Sequence, residues 1–188
     1  MNSFYDVNEL LKIGFESVGD DVQISRKASI YDSSKMSLGN HVRIDDFCIL
    51  SGKIKIGDYV HISSHTSIFA GDAGVEIGSF SGLSSRCAVY AISDDYSGQF
   101  LSNATVPLNY RNVKSDKVII GDNVIVGTGS TILPGVCIEN GIAIGCMSLV
   151  NKTLKERGVY YGIPVRKMNE RSDNCEKLAK IVMNKGKF

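Results

Sequence analysis

Aliphatic residues recur at every sixth position along most of this chain, and this period constrains the fold more than any other feature. The repeated positions are Val18, Ile24, Ile30, Met36, Leu38, Ile44, Leu50, Ile56, Ile62, Ile68, Ile77, Leu83, Val89, Ile120, Val126, Ile132, Ile138, Ile144 and Val150. A period of six matches neither the turn of an α-helix nor the alternation of a simple strand. It predicts an all-β solenoid in which short strands meet at sharp corners, three hexads close a triangular coil, and stacked coils bury one core.

An ordinary β-sandwich with coincidental spacing is the alternative fold. Two runs of six successive anchors, one beginning at Leu38 and one at Ile120, argue against it. Small residues also follow many anchors, as at Gly39, Gly57 and Gly121. They suit tight corners in a regular structure.

The repeat predicts a division of the chain into three parts. Residues 18–168 form the solenoid, residues 1–17 an N-terminal cap, and residues 169–188 a C-terminal helix. A bulge over residues 69–76 shifts the register by three, and residues 90–117 form a long loop insertion. A loop of this length is typically functional, and its aromatic residues argue against the alternative, a disordered insertion.

Both ends are expected to carry short helices that close the solenoid. Asp6 is predicted to cap a helix over Val7 to Ile13. Residues 173–185 place apolar side chains on one helical face, at Leu178, Ile181 and Val182.

The charges are nearly balanced, with 21 Lys and Arg against 20 Asp and Glu and a formal net charge of +1. A nucleic-acid partner is not expected, because such proteins carry a basic excess. No run reaches the roughly 18 apolar residues of a membrane span, and Asp6 and Glu9 argue against a secretory signal. The five cysteines are odd in number and lack C-x-x-C spacing, which predicts reduced thiols in a cytoplasmic protein. No metal site is expected, because His41 aligns with neither His61 nor His65 by whole coils.

The hexad register places all three histidines, His41, His61 and His65, at outward positions. One coil spans eighteen residues, so Arg43 is predicted to lie under His61 and Arg86 over His65. Ionisable groups gathered beside a long loop are a site candidate. The alternative for each histidine is a plain surface position.

Two further features complete this candidate site. Asp45 occupies the column next to Arg43, and the long loop opens with Asp94-Asp95-Tyr96. Paired carboxylates near a histidine orient its ring and raise its basicity. The alternative for Asp94 and Asp95 is a turn, since Ser-Asp-Asp and Ser-Gly favour turns. We assign Arg43, Asp45, His65, Arg86 and Tyr96 to substrate binding.

Five segments carry recognisable motifs: VRIDDFCILSG, YVHIS, SDDYSG, NATVP and YYGIPVRK. They resemble the hexapeptide-repeat acyltransferases, and within these the galactoside/maltose-type sugar O-acetyltransferases encoded with surface-polysaccharide genes. The resemblance covers roughly residues 18–168 and implies a left-handed parallel β-helix. It also implies acetyl-CoA as cosubstrate and a homotrimer with active sites between neighbouring prisms.

The resemblance also implies site residues. Thr128, Cys146, Asn151, Lys152 and Arg166 occupy motif positions at which members contact CoA. Lys152 and Arg166 suit its phosphates, since both are fixed cations.

Many members carry a catalytic histidine at the start of the long loop. This chain reads Ser93-Asp94-Asp95 there, and no histidine follows. The general base is therefore assigned to His61, with His65 second. Asp94 or Asp95 is expected to orient the base or to hold the sugar.

These features predict an acetyl-CoA-dependent O-acetyltransferase that modifies a sugar hydroxyl in O-antigen or capsule biosynthesis. The acceptor is a sugar or a sugar nucleotide, and a general base assists direct transfer. The first alternative is N-acetylation of an amino-sugar nucleotide, whose amine needs less help from a base. The others are a zinc protein resembling γ-class carbonic anhydrases and a non-catalytic scaffold.

Overall fold

The computed structural model describes residues 3–185. These form a parallel β-solenoid of about seven coils that matches a left-handed β-helix, which confirms the predicted fold class. Residues 1–2 of the predicted cap and residues 186–188 of the predicted C-terminal helix lie outside the described residues.

The strands are short and follow the hexad period. In chain order they are β1 (Ser17–Val18), β2 (Gln23–Ile24), β3 (Ser29–Tyr31), β4 (Met36–Leu38), β5 (Arg43–Ile44), β6 (Ile49–Ile56), β7 (His61–Ile62), β8 (Ser67–Ile77), β9 (Gly82–Leu83), β10 (Ala88–Tyr90), β11 (Ile92–Ser93), β12 (Lys114–Ser115), β13 (Val118–Ile120), β14 (Ile125–Val126), β15 (Thr131–Ile132), β16 (Cys137–Ile138), β17 (Ala143–Ile144), β18 (Leu149–Val150), β19 (Val159–Gly162) and β20 (Val165–Asn169). In the part of the chain that the structure describes, the helices α1 (Val7–Ile13) and α2 (Asn174–Lys185) flank them.

Within residues 3–185, eighteen of these strands stack coil upon coil in two sheets, and β11 and β12 form a separate two-stranded sheet. One face of the prism is an eight-stranded sheet in the order β2-β5-β7-β9-β14-β17-β19-β20. The other two faces form a ten-stranded sheet, because the long strands β6 and β8 turn a corner and pair on both faces. The predicted bulge lies inside β8, where the register shifts opposite Gly52. A Cβ at Gly52 would lie 2.5 Å from the backbone nitrogen of Gly71, so the corner needs glycine there.

The anchors of the repeat form the core. Ile44, Ile62, Leu83 and Val126 occupy one parallel register across four coils, and all are at most 1% exposed. Cys48 and Cys87 are also buried, and burial raises the pKa of each thiol to about 11. Both cysteines therefore act as small apolar residues.

A column of polar side chains satisfies the backbone at one corner. The amide of Asn40 donates to the carboxylate of Asp58, and the amide of Ser79 donates to that of Asp122, both at 2.7 Å. The amide of Asp122 donates in turn to the side-chain oxygen of Asn140, also at 2.7 Å. Asp58 and Asp122 each follow a corner glycine, whereas Asn140 follows Glu139, and all three side chains cap a backbone N–H of the neighbouring coil.

Helix α1 closes the lower end of the core, as predicted. Asp6 and Glu9 form a capping box, with each carboxylate accepting the other residue's amide at 2.9 and 2.8 Å. Leu10 is 5% exposed and joins the core cluster. Glu9 also pairs with Arg26 at 2.6 Å.

Helix α2 lies on the prism differently from the prediction. Ala179 is buried, whereas Leu178, Ile181 and Val182 remain exposed. In this orientation, an ion pair between Arg157 and Glu176 connects the helix to the last coil. Among the described residues, no helix is long and apolar enough to cross a membrane.

Candidate active site

The long loop leaves the ten-stranded sheet after β10 on a two-stranded stem. Strands β11 and β12 pair in antiparallel fashion, with Ile92 opposite Ser115 and Ser93 opposite Lys114. Inside the loop, the amide of Leu101 donates to the carbonyl of Tyr110 at 2.9 Å. The segment between the strands of the stem is therefore folded back on itself.

Asp94 joins three parts of this loop. Its Oδ2 accepts a hydrogen bond from the backbone amide of Asn103, and its Oδ1 accepts one from Nη2 of Arg111, both at 3.1 Å. The side chain of Asp94 is 36% exposed, whereas that of Arg111 is 14% exposed. The carboxylate is thus held in place and still accessible to a ligand.

A cavity of about 600 Å³ lies between the loop and the outer face of the sheet. Its lining includes Phe69, Tyr90, Asp94, Tyr96 and Arg111. The Phe69 and Tyr90 rings stack with centroids 5.3 Å apart, one coil above the other. A cavity of this size with a flat apolar wall and a few fixed polar groups is typical of small-molecule sites.

A scan against models of known protein families gives no match. The chain is 42% identical over 182 residues to the dTDP-4-amino-4,6-dideoxy-D-glucose acyltransferase of Escherichia coli, covering 95% of this chain and 94% of the relative. A crystal structure of AntD, an N-acyltransferase from Bacillus cereus, in complex with dTDP and 3-hydroxybutyryl-CoA matches with a TM-score of 0.96 and 48% identity, covering 100% of both chains. The chain belongs to the hexapeptide-repeat sugar acyltransferases.

A more distant relative represents O-transfer. The acyltransferase is 30% identical over 166 residues to WbbJ of Escherichia coli (strain K12), assigned as a lipopolysaccharide biosynthesis O-acetyl transferase, covering 82% of this chain and 80% of the relative. The predicted family and enzyme class are confirmed.

Arg43, Asp45 and His61 form a second polar cluster of the acyltransferase, on the eight-stranded sheet. Arg43 lies directly under His61, as the register predicts. Oδ2 of Asp45 lies 2.8 Å from Nε2 of His61, and Oδ1 accepts Nε of Arg43 at 2.8 Å. Burial opposes the ionisation of Asp45, but these hydrogen bonds outweigh it and lower the pKa of Asp45.

The surroundings of His61 leave its ring partly open. The imidazole is 50% exposed. Gly82 lies opposite it in the next coil, and a Cβ there would meet only the carbonyl of His61, at 3.8 Å. His65 and Arg86 follow at the adjacent corner, where the His65 ring packs on Phe47 with centroids 4.9 Å apart.

That Asp94 or Asp95 orients the base or holds the sugar stays a prediction. Within one chain, Asp45 holds His61, while the carboxylates of Asp94 and Asp95 are engaged inside the loop. The physical reason is that β7, which carries His61, belongs to one sheet, and the loop leaves the other.

Asp95 has the hydrogen bonds of a turn. Its carboxylate accepts the hydroxyl and the amide of Ser97 and, at 2.9 Å, the side-chain amide of Asn112. These bonds lower the pKa of Asp95. They match the turn alternative left open by the sequence, whereas Tyr96 lines the cavity with 95% of its surface exposed.

The residues assigned to CoA fall in three places near the upper coils. Thr128 and Cys146 are neighbours at one corner, where the amide of Met147 donates to the carbonyl of Thr128 at 2.8 Å. Asn151 and Lys152 are exposed just after β18. Arg166 is exposed on β20, which pairs with β19 as an antiparallel hairpin.

Three groups of the cavity were not predicted from the sequence: Phe69, Tyr90 and Arg111. The hexad register does place Phe69 and Tyr90 outward on adjacent coils, so counting coils would have found their stacking. Arg111 lies in the loop, where no period exists, and nothing in the sequence links it to Asp94.

Within residues 3–185, no three of His, Cys, Asp and Glu lie close enough together to hold a metal ion. The three histidines have different neighbours: His61 lies beside Asp45, and His65 packs on Phe47. His41 contacts Asp21 at 3.0 Å and stacks on Tyr59.

Proposed function

We propose that this enzyme is an N-acyltransferase that moves an acyl group from acyl-CoA to the amine of a dTDP-linked amino-deoxy sugar. The product is an amide. The observation that carries this proposal is similarity over nearly the whole chain, at 42% and 48% identity, to two enzymes named for that sugar or for N-acyl transfer. The O-acetylation predicted from the sequence becomes the second candidate.

The cavity under the loop suits such an acceptor. The stacked rings of Phe69 and Tyr90 offer an apolar wall for a pyrimidine base or a deoxysugar. Among the described lining residues, Asp94 is an anionic group and no histidine is present. An amine attacks as the free base, so a carboxylate that accepts its hydrogen bond is sufficient, whereas a hydroxyl needs a stronger base.

The reaction is direct transfer between two bound substrates. The amine nitrogen attacks the thioester carbonyl, the new C–N bond forms and the C–S bond breaks. Asp94 accepts a hydrogen bond from the amine and stabilises the positive charge that develops on nitrogen. The proton that nitrogen loses ends on the leaving CoA sulfur after exchange with solvent.

One structural observation supports O-acetylation. Asp45 and His61 have the arrangement of a general base held by a carboxylate, and the ring is half-exposed. For a sugar hydroxyl, His61 would be the catalytic base and Arg43 would support Asp45. WbbJ, the O-transfer relative, makes this the second candidate.

The assembly and the CoA site are also proposed. We expect a cytoplasmic homotrimer in which acyl-CoA lies between neighbouring prisms, against Thr128, Cys146 and the hairpin that carries Arg166. Asn151 lies one coil above Leu133, which lines the cavity, so a pantetheine arm on this side would bring its thioester to the acceptor.

The test is a direct competition between nucleophiles. The enzyme is incubated with acetyl-CoA or 3-hydroxybutyryl-CoA and either dTDP-4-amino-4,6-dideoxyglucose or the matched 4-hydroxy sugar nucleotide. Release of CoA thiol gives the rate, and mass spectrometry gives the product. Amide formation at least 100-fold faster than ester formation supports the proposal. Preferential ester formation would refute it and favour O-acetylation.

A further inference from the structure

Arg111 is unusual within the long loop because its side chain is largely buried. It is 14% exposed, whereas its neighbours Leu108 and Tyr110 are 78% and 57% exposed. A guanidinium taken out of water requires an anionic or hydrogen-bonding partner. The loop therefore folds around this side chain for a reason other than apolar packing.

Arg111 has one side-chain partner, Asp94, and one buried nitrogen without a hydrogen-bond partner among the described residues. Its Nη2 donates to Oδ1 of Asp94 at 3.1 Å. Its Nε is buried and has no hydrogen-bond partner among residues 3–185. Since an unpaired buried N–H is costly, and since Arg111 lines the cavity together with Asp94, the missing acceptor is expected to come from a ligand.

The loop backbone fixes both members of the pair. The amide of Arg111 donates to the carbonyl of Leu108 at 3.1 Å, at the end of a short 3-10 turn. The second oxygen of Asp94 accepts the backbone amide of Asn103. The Asp94 carboxylate is thus held on one side by backbone and on the other by the Arg111 side chain.

We propose that Arg111 is a positioning residue that aims the Asp94 carboxylate at the acceptor amine and, through Nε–H, binds an acceptor oxygen. The oxygen is a sugar hydroxyl or a phosphate oxygen. This inference rests on the proposed function. A carboxylate oxygen accepts more than one hydrogen bond, so Asp94 can hold both Arg111 and an amine. Losing one support lets the carboxylate turn, and a misplacement of about 1 Å costs on the order of 100-fold in rate.

Double-mutant kinetics test the positioning role. Arg111→Met, Asp94→Asn and the double variant are assayed with dTDP-4-amino-4,6-dideoxyglucose and acyl-CoA. Because Arg111 acts through Asp94, Arg111→Met should lower kcat at least 30-fold, yet lower it less than threefold further in the Asp94→Asn background. A full multiplicative loss in the double variant would overturn the proposal.

Arg111→Lys separates the two contacts. A lysine keeps a positive charge beside Asp94 but lacks the Nε–H donor. We expect kcat within about tenfold of wild type and a KM for the acceptor raised at least tenfold. A variant with unchanged kcat and KM would refute the binding role of Nε. This substitution also serves if Arg111→Met fails to fold.

Arg26→Met is the matched control. Arg26 also pairs with a carboxylate, Glu9, but in the first coil, beside helix α1. The Arg26→Met variant should keep wild-type kcat and KM even if its melting temperature is lower. A loss of kcat equal to that of Arg111→Met would mean that any ion pair has this effect.

Crystal structures of wild type and Arg111→Met separate this inference from the proposed function. In the variant, the Asp94 carboxylate should leave its position beside the Asn103 amide or adopt another rotamer. An unmoved carboxylate would overturn the positioning role whatever the activity. A wild-type enzyme that acylates no amino-sugar nucleotide would refute the proposed function alone, and these structures would still decide the role of Arg111.

Discussion

The solenoid and the long loop of this enzyme are held together by different forces. In the solenoid, equivalent residues of successive coils pair and bury their side chains, as Ile44, Ile62 and Leu83 do. In the loop, carboxylates accept backbone and side-chain N–H groups, and large side chains such as Leu108 stay exposed. Apolar burial stabilises the first region, while specific hydrogen bonds shape the second. Substitutions in the two regions should therefore change different measured quantities.

The largest effect is expected on activity, from Asp94→Asn in the loop. The amide keeps the size of the side chain but loses the charge that stabilises the developing ammonium. We expect kcat to fall at least about 100-fold, with the melting temperature within a few degrees of wild type.

Asp72→Asn is the control for this substitution. Asp72 lies on the solenoid and pairs with Lys35 on the surface. It should keep wild-type turnover. If Asp94→Asn were as active as this control, the loop carboxylate would not take part in the reaction.

The largest effect on stability is expected from Ile62→Ala in the solenoid. Ile62 is 0% exposed, and its truncation should lower the free energy of unfolding by about 2–5 kcal/mol. Turnover per folded molecule should stay within threefold of wild type. Denaturant unfolding measures the first quantity and the steady-state assay the second.

Leu108→Ala provides the matched apolar truncation in the loop. Leu108 is 78% exposed, so the free energy of unfolding should change by less than about 0.5 kcal/mol. Equal losses for Ile62→Ala and Leu108→Ala would contradict the distinction between the two regions.

A smaller effect on activity is expected from His61→Ala. If the nucleophile is an amine served by Asp94, turnover should fall less than tenfold. His41→Ala is the control, because His41 also contacts a carboxylate, Asp21, on the prism surface. A loss of 100-fold for His61→Ala alone would instead assign the base to the Asp45–His61 pair and favour transfer to a hydroxyl.

The smallest effect is expected at the α1 cap, in its response to acid. Hydrogen bonds from Arg26 and from the backbone of Asp6 lower the pKa of Glu9 from 4.5 to about 2. A carboxylate whose pKa is lower in the folded state than in the unfolded state stabilises the fold at pH values above its unfolded-state pKa. This stabilisation is lost as the pH falls towards the folded-state pKa. Wild type should melt above Glu9→Gln at pH 6, and the difference should shrink between pH 4.5 and 2.

Glu139→Gln, an exposed position on the solenoid, is the control for the cap. Its melting temperature should stay close to that of wild type across the same pH range. A difference for Glu9→Gln that does not depend on pH would show that the cap does not rely on the charge of Glu9.

Much of the solenoid could be predicted because its period is local. Counting by eighteen from Arg43 gives His61, and the strand register has these two residues paired. The capped helix from Val7 to Ile13 was also predictable, because Asp6 and Glu9 lie within one turn of it. The orientation of α2 was not, because the contact with Arg157 depends on where the last coil ends.

The sequence by itself determined the coil, the corners and which side chains face outward, because each coil repeats the packing of the one below. The motifs in the sequence also indicated the acyltransferase family. Only the tertiary structure decided that Arg111 meets Asp94 and that Asp45, not a loop carboxylate, holds His61. The physical reason is that the loop has no repeat, so the pairing of its side chains depends on how the whole segment folds against the sheet.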